Sequence, residues 1–244
     1  MKLAIGYVSR NHAMTYRNLI SRPLIAALIG VVLLHGCASS APKPKEDAGA
    51  PVGSPLAGLA GRHMVVFPAH YLATAGPSGT WDITQAGPVM LPILDEEIAD
   101  ALRKRGINNN WTFAREITAS ANRNAGLAGD PQRLSAQGIR RIAAGDTPLP
   151  EPLASQIRTL VSLTSARFAL LPLETRIDTR NGERKGSLRV LLIDSRTARV
   201  LWVGDFDSAV VRDPTVVSDA MSPFGFRSFA RELAERLADM VVVQ

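Results

Sequence analysis

The chain has 244 residues, of which 46% are hydrophobic and 20% charged, so a folded globular protein is expected and global disorder is excluded. Lys and Arg number 28 against 22 Asp and Glu, and the formal charge of +6 raises the question of a nucleic-acid or membrane partner. The single cysteine excludes a disulfide framework and a cysteine-based metal cluster.

Residues 1–36 have the composition of an export signal, because no acidic residue occurs before Glu46. The basic residues of this segment are Lys2, Arg10, Arg17 and Arg22. The apolar run Pro23–Leu34 that follows them has twelve residues, whereas a transmembrane helix needs about 20. This order predicts a secretory signal peptide, and we expect translation to start at Met14, which gives a signal of ordinary length.

The apolar run ends in Leu34, His35, Gly36 and Cys37, which resembles the lipobox of bacterial lipoproteins. The resemblance implies cleavage between Gly36 and Cys37, diacylglycerol on the Cys37 sulfur, and a further acyl chain such as palmitate on the new amino group. Two or more acyl chains anchor a protein stably, whereas one does so only marginally. Ala38 after the cysteine resembles the outer-membrane sorting pattern of Gram-negative lipoproteins. The alternative is an unmodified cysteine.

Residues 37–61 are predicted to be a flexible tether that carries the acylated cysteine at its start. The segment is rich in Ala, Gly, Pro and Ser and has no aromatic residue, so it cannot bury enough apolar surface to fold. The remaining residues, 62–244, are long enough for a single domain that buries about 70% of its unfolded surface.

The first half of this domain alternates short strands and helices. Met64–Ala69 is predicted to be a buried strand, Tyr71–Pro88 a loop rich in Gly, Pro and Thr, and Asp95–Arg105 a helix. One apolar face of that helix is formed by Leu94, Ile98 and Leu102. Trp111–Ile117 is predicted to be a second strand, and 118–150 a set of short helices interrupted by glycines.

The second half has a clearer pattern. Pro152–Thr164 is predicted to be an amphipathic helix, followed by the strand Phe168–Asp178. Arg189–Asp194 and Val200–Val211 are predicted to form a hairpin, and Pro223–Val242 the last helix. This order of elements indicates an α/β fold, a two-layer sandwich with a mixed sheet of about five strands and a C-terminal hairpin and helix.

Two local patterns add a resemblance to this order. Leu160–Glu174 is a helix, a polar turn and a strand, and Leu191–Gly204 is a strand that ends in Asp, turns through Arg and Thr, and returns through Val-Leu-Trp. Together they resemble the superfamily of periplasmic lipoprotein domains that includes the TolB amino-terminal domain, LpoB and CsgG. The resemblance implies a periplasmic α/β domain. No pair of alternating segments predicts the membrane-spanning hairpins of a CsgG-like pore.

No catalytic constellation, metal site or cofactor site is predicted. After signal removal only His63 and His70 remain, and we interpret them as one exposed and one internally satisfied histidine. The standard phosphate-loop, zinc-protease and serine-hydrolase motifs are not found. Three aspartates crowd the predicted hairpin: Asp194, Asp205 and Asp207. They are close in sequence to Arg189, Arg196 and Arg199, which favours cross-strand ion pairs over a cation site.

Two aromatic residues are candidate partner contacts. Phe224 precedes the apolar face of the last helix and does not belong to it. An ordinary structural residue is the favoured interpretation of Phe224, and an exposed partner contact is the alternative. Trp202 lies in the predicted hairpin, where packing within the domain is the favoured interpretation and a partner contact the alternative.

These observations predict an outer-membrane-anchored periplasmic lipoprotein that binds an unidentified envelope protein as a non-catalytic accessory or assembly subunit. The alternatives are an envelope hydrolase with a non-motif active site, which two perturbed carboxylates in a deep cleft would favour, and a homo-oligomeric secretion-type ring. Removal of residues 1–36 leaves 24 Lys and Arg against 22 Asp and Glu. So small an excess gives no support to nucleic-acid binding.

Overall fold

The computed structural model describes residues 56–75, 81–143, 145–180, 183–212 and 222–241. The signal peptide, Gly36, Cys37 and most of the predicted tether lie outside the described residues.

Within these ranges the chain forms four α-helices and nine strands of one sheet. The helices are α1 (Gly87–Lys104), α2 (Ala114–Arg123), α3 (Leu153–Ser162) and α4 (Pro223–Val241). The strands are β1 (Met64–Val66), β2 (Tyr71–Ala75), β3 (Trp81–Ile83), β4 (Trp111–Thr112), β5 (Thr147–Pro148), β6 (Phe168–Arg180), β7 (Glu183–Asp194), β8 (Arg199–Asp207) and β9 (Val211–Arg212). The short 3-10 turns are Ala57–Leu59, Pro131–Arg133 and Gln137–Ile139.

The sheet is mixed, and its longest path runs in the order β3-β2-β6-β7-β8-β5. β6, β7 and β8 form an antiparallel meander, and the β7–β8 pair is the predicted hairpin. β1 and β2 both pair with β6 in parallel, one after the other along its length. β4 lies outside β1, and β3 lies outside β2. The short strands β3, β4, β5 and β9 raise the strand count above the predicted five.

Helices cover the sheet through two clusters of buried apolar side chains. α1 and α4 pack against one face, where alternate strand residues such as Val190 and Leu192 point. α2 and α3 pack against the other face, which receives Leu191 and Ile193. The alternation follows from the two-residue period of a strand. The α/β sandwich with a mixed sheet and a C-terminal helix is therefore confirmed.

Several predicted boundaries were wrong. The segment Tyr71–Pro88, predicted to be a loop, contains β2 and β3, and α1 begins at Gly87 rather than at Asp95. α1 accommodates Pro92 in its second turn, where the missing N–H costs one hydrogen bond. The predicted strand Trp111–Ile117 is two residues of β4 followed by α2, which starts where the Glu116 carboxylate accepts the Phe113 N–H at 2.6 Å.

The folded domain begins before residue 62. Leu56 is completely buried and the turn Ala57–Leu59 packs near α4, so these residues belong to the domain rather than to the tether. In the β7–β8 turn, Ala198 has a φ of 51°, a left-handed conformation that is unusual for a residue with a side chain.

Candidate functional site

The edge of the sheet has a gap where β1 ends and β2 begins. On the inner side the connection stays paired with β6, because the Phe67 N–H donates to the Leu170 carbonyl and the His70 N–H to that of Pro172. On the outer side β4 pairs only with Met64 and Val65, and β3 only with residues 73–75. Pro68 within the gap has no N–H to offer an outer strand. The edge strand is therefore interrupted here.

A pocket of about 340 Å³ fills this gap, a volume within the range of small-molecule sites. It lies between the start of α1, the end of β3 and the turn at Pro131–Arg133. Its apolar walls come from Pro68, Ala69, Leu72, Ile83, Gly87, Pro88, Leu91 and Pro92, and its polar groups from His70, Thr84, Asp95, Gln132 and Arg133.

The Asp95 carboxyl group lies on the outer side of the gap. Its Oδ1 accepts the Ala69 N–H at 2.8 Å, in the direction in which a neighbouring strand would otherwise supply a carbonyl. Burial raises the pKa of Asp95 to about 7, helped by the nearby Glu96 carboxylate and opposed by the Ala69 hydrogen bond. The carboxyl group therefore changes its charge close to neutral pH.

His70 presents a hydrogen-bond acceptor inside the protein. Its Nδ1 lies 2.7 Å from the Pro68 carbonyl oxygen, and since a carbonyl only accepts, Nδ1 must carry the proton. Nε2 then carries the lone pair, and it is buried with no hydrogen-bond partner among the described residues. Burial lowers the pKa of His70, against the opposing effects of Pro68 and Asp130, so the ring is neutral at pH 7. The interpretation of His70 as internally satisfied is thus right for one nitrogen and wrong for the other, while His63 is exposed as expected.

Few described side chains of the pocket could act as nucleophiles. Among the described residues the lining includes no serine or cysteine, and the Thr84 hydroxyl accepts the Ala86 N–H at 3.2 Å. Asp95 is the one carboxylate among these residues, so they do not form the pair of perturbed carboxylates that would favour a hydrolase. Over the described part of the chain, no three His, Cys, Asp or Glu side chains are arranged to hold a metal ion.

A second polar group crosses the sheet beside the pocket. Tyr71, Glu174, Arg189 and Asp205 are successive neighbours across β2, β6, β7 and β8. The Glu174 side chain is fully buried and accepts hydrogen bonds from Arg140 and, at 3.0 Å, from Arg176. Burial alone would raise the pKa of Glu174, but the two guanidinium groups outweigh it and lower that pKa.

The three aspartates of the hairpin form ion pairs, as predicted. Arg189 binds Asp205 through two hydrogen bonds of 2.8 and 2.9 Å, and this contact lowers the pKa of Asp205. The other two pairs use residues outside the predicted set: Arg167 with Asp194 at 2.6 Å, and Lys185 with Asp207 at 2.7 Å. Arg199 instead binds Asp146, and Arg196 contributes its backbone N–H to Asp194.

The two candidate contact residues have different surroundings. Trp202 is half-buried against the core, 6.1 Å from the ring of Phe206, and a Cβ on Gly204 would overlap its indole. This agrees with the favoured packing interpretation. Phe224 is 85% exposed at the start of α4. Val89, at the start of α1, is also exposed. The ion pairs Glu96–Arg227 and Arg105–Asp239 show that α1 and α4 run parallel. Val89 and Phe224 therefore lie at the same end of the helix pair.

Local sequence patterns do not place Asp95 and His70 in one site. Asp95 is the first residue of the helix that these patterns predict, and His70 is one of the two histidines to which they assign no function. The usable signal was Pro68, since a proline within a buried strand predicts an interrupted edge. With α1 extended to Gly87, Asp95 also falls four residues after Leu91, next to the apolar face.

None of the described helices combines the length and apolar character needed to cross a bilayer.

No protein-family model matches the chain, and no curated protein does so either. Among solved structures, the chain is similar to LpoB from E. coli, with 12% identity, a TM-score of 0.35, and coverage of 86% of this chain and 94% of that one. It is similar to the lipoprotein GNA1162 from Neisseria meningitidis, with 18% identity, a TM-score of 0.32, and coverage of 72% and 96%. It is also similar to the PelC dodecamer from Paraburkholderia phytofirmans, with 13% identity, a TM-score of 0.34, and coverage of 75% and 91%. The structural neighbours thus include lipoproteins, and at these identities and TM-scores they assign no activity to this chain.

Proposed function

We propose that this protein is a lipid-anchored lipoprotein on the periplasmic face of the outer membrane, and that its domain acts by binding an envelope protein rather than by catalysis. The observation that carries the proposal is the lipobox at Leu34–Cys37, which follows a basic segment and a twelve-residue apolar run. Acylation of Cys37 would fix the chain to the membrane through at least two acyl chains.

The position of the domain supports this arrangement. Leu56 is the first described residue of the core, so 18 residues separate it from Cys37. A flexible segment of that length has an r.m.s. span of roughly 21–25 Å. A domain held on such a tether would lie beside the membrane surface and could meet proteins of the envelope.

The anchor is tested by replacing Cys37. In the cell of origin, the wild-type chain should fractionate with the outer membrane, and its N-terminal peptide should carry the mass of diacylglycerol on residue 37. Cys37→Ala should leave an unprocessed or soluble chain with no lipid mass. Ser40→Ala, three residues further on, serves as the matched control and should fractionate as the wild type does. An unmodified Cys37 in the mature protein would overturn the proposal.

The partner contact is tested at Phe224, because this side chain is 85% exposed and its loss should not affect folding. Crosslinking and pull-down from solubilised membranes should recover a reproducible envelope protein with the wild-type chain and much less of it with Phe224→Ser. Leu127→Ser changes an apolar side chain that is 78% exposed elsewhere on the surface, and it should retain the partner. Equal recovery with both variants would remove Phe224 from the contact, and recovery of nothing would count against the binding function.

A further inference from the structure

The pocket in the sheet edge presents a carboxyl group and few hydrogen-bond donors. His70 also lines it, but its Nε2 is enclosed by the protein and is not open to the pocket. Asp95 contributes a carboxyl group, of which Oδ1 already accepts the Ala69 N–H. A ligand that satisfies this site must itself supply hydrogen-bond donors, since leaving a buried acceptor unpaired is costly.

The start of α1 does not provide an anion site, although a helix N-terminus often does. Pro88 lacks an N–H, the N–H of Gly87 donates to the Thr84 carbonyl, and the N–H groups of Val89 and Met90 donate to the Ala86 carbonyl. The donors of the first turn that could receive an anion are therefore mostly missing or occupied. This wall of the pocket is consequently apolar rather than anion-binding.

The charges near the pocket favour a cation. Asp95 lies in its lining, Glu96 is next to Asp95, and Asp130 acts on the His70 ring. Among the described residues of the lining, the one cation is Arg133, whose side chain is 86% exposed and lies 3.8 Å from Asp130. Arg227 on the neighbouring α4 is already engaged by Glu96 and Glu97. The carboxylate of Asp95 thus lacks a cationic partner in the described residues.

We propose that this pocket binds the ammonium group of a small amine, with its N–H groups donating to the Asp95 carboxylate. The apolar body of the amine would contact Pro68, Leu72 and Leu91. An ammonium group brings a positive charge and three N–H donors to this carboxylate, whereas an alcohol is neutral and has one donor. The volume of about 340 Å³ admits an amine with a short chain or a single ring.

The site should show a characteristic pH dependence. Burial gives Asp95 a pKa of about 7, while His70 stays neutral because burial lowers its pKa. An ammonium ligand binds the ionised form of Asp95, so its affinity should fall as Asp95 is protonated. By proton linkage, the affinity at pH 6 should be about one tenth of that at pH 8.

Calorimetric titration of the full chain with benzylamine and with benzyl alcohol, at pH 6 and pH 8, tests the proposal. We expect benzylamine to bind at pH 8 and to bind about tenfold more weakly at pH 6, and benzyl alcohol to bind more weakly than the amine at pH 8. Asp95→Asn keeps a carbonyl oxygen that can accept the Ala69 N–H, so it should fold and yet lose both the tight binding and the pH dependence.

Asp100→Asn removes an exposed carboxylate from the same helix outside the pocket and should bind as the wild type does. The proposal is overturned if benzylamine gives no heat at millimolar concentration, or if the alcohol binds as tightly as the amine. It is equally overturned if Asp95→Asn, shown to be folded by its thermal unfolding, binds the amine with unchanged affinity.

Discussion

Asp95 and Glu174 are acidic side chains near the same point of the sheet, and their environments shift their pKa values in opposite directions. Asp95 binds Ala69 at the outer edge, and Glu174 lies opposite Tyr71, two residues further along. Both carboxyl groups lose water. Glu174 gains two arginines and its pKa is lowered, while Asp95 gains one backbone N–H and its pKa rises to about 7. The charge of a buried carboxylate therefore depends on its ionic and hydrogen-bonding partners as well as on burial.

The largest expected effect comes from removing the charge of Glu174. In Glu174→Gln, the guanidinium groups of Arg140 and Arg176 lose the Glu174 carboxylate in a buried setting, so we expect a loss of about 3 kcal/mol in the free energy of unfolding. Urea unfolding at pH 7 measures this value. Asp207→Asn, which breaks an exposed pair with Lys185, should cost less than about 1 kcal/mol. Equal losses in the two variants would show that Glu174 is not a buried ionic centre.

Asp95 should give the opposite result, because its charge destabilises the fold. Its pKa is about 7 in the folded chain and about 3.9 in an unfolded one, so the unfolded chain binds fewer protons between these values and stability falls as pH rises from about 4 to 7. Asp95→Asn removes this effect. The substitution should therefore stabilise the fold more at pH 8 than at pH 4. Because the Asp95 side chain is partly exposed, we expect this difference in the free energy of unfolding to be about 2–3 kcal/mol.

The measurement for Asp95 is urea unfolding of both chains at several pH values. Asp82→Asn, at an exposed position of β3, is the control and should leave the pH dependence of the wild type unchanged. A pH profile of Asp95→Asn that runs parallel to that of the wild type would show that Asp95 ionises with an ordinary pKa.

A smaller effect is expected when Glu174 is made more like Asp95. Arg140→Gln removes one of its two guanidinium partners and leaves Arg176, so we expect a loss of about 1–2 kcal/mol and a rise in the pKa of Glu174. Carbon-detected NMR of the side-chain carboxyl group follows that pKa. Arg141→Gln changes the exposed neighbour and should move neither quantity. An unchanged titration in Arg140→Gln would assign the low pKa to Arg176 alone.

Local periodicity predicted the elements that carry a complete apolar face. The face of α1 formed by Leu94, Ile98 and Leu102 is buried, as are Phe226 and Phe229 of α4. β6 also lies close to its predicted position. The turn between β7 and β8 is where it was predicted, although β7 begins six residues earlier and β8 ends at Asp207 rather than at Val211. In these elements the spacing of apolar residues matches the geometry of the helix or strand, so the sequence alone is sufficient.

β2 and the pocket could not be predicted in the same way. β2 has five residues and is stabilised by pairing with β6, for example Tyr71 with Glu174, which no local pattern records. Asp95 and His70 come together only because Pro68 interrupts the edge and α1 packs beside it. Their unusual pKa values arise from burial, which depends on the assembled fold rather than on residues adjacent in the sequence.

The parallel docking of β1 and β2 on β6 has a consequence for the order of folding. β6, β7 and β8 are consecutive, whereas Tyr71 and Glu174 are separated by about 100 residues, and closing so long a loop costs more entropy. We expect the meander to form first and the edge that carries the pocket to dock late. The same edge would be the first to detach in local unfolding, and an amine bound to Asp95 would hold it in place.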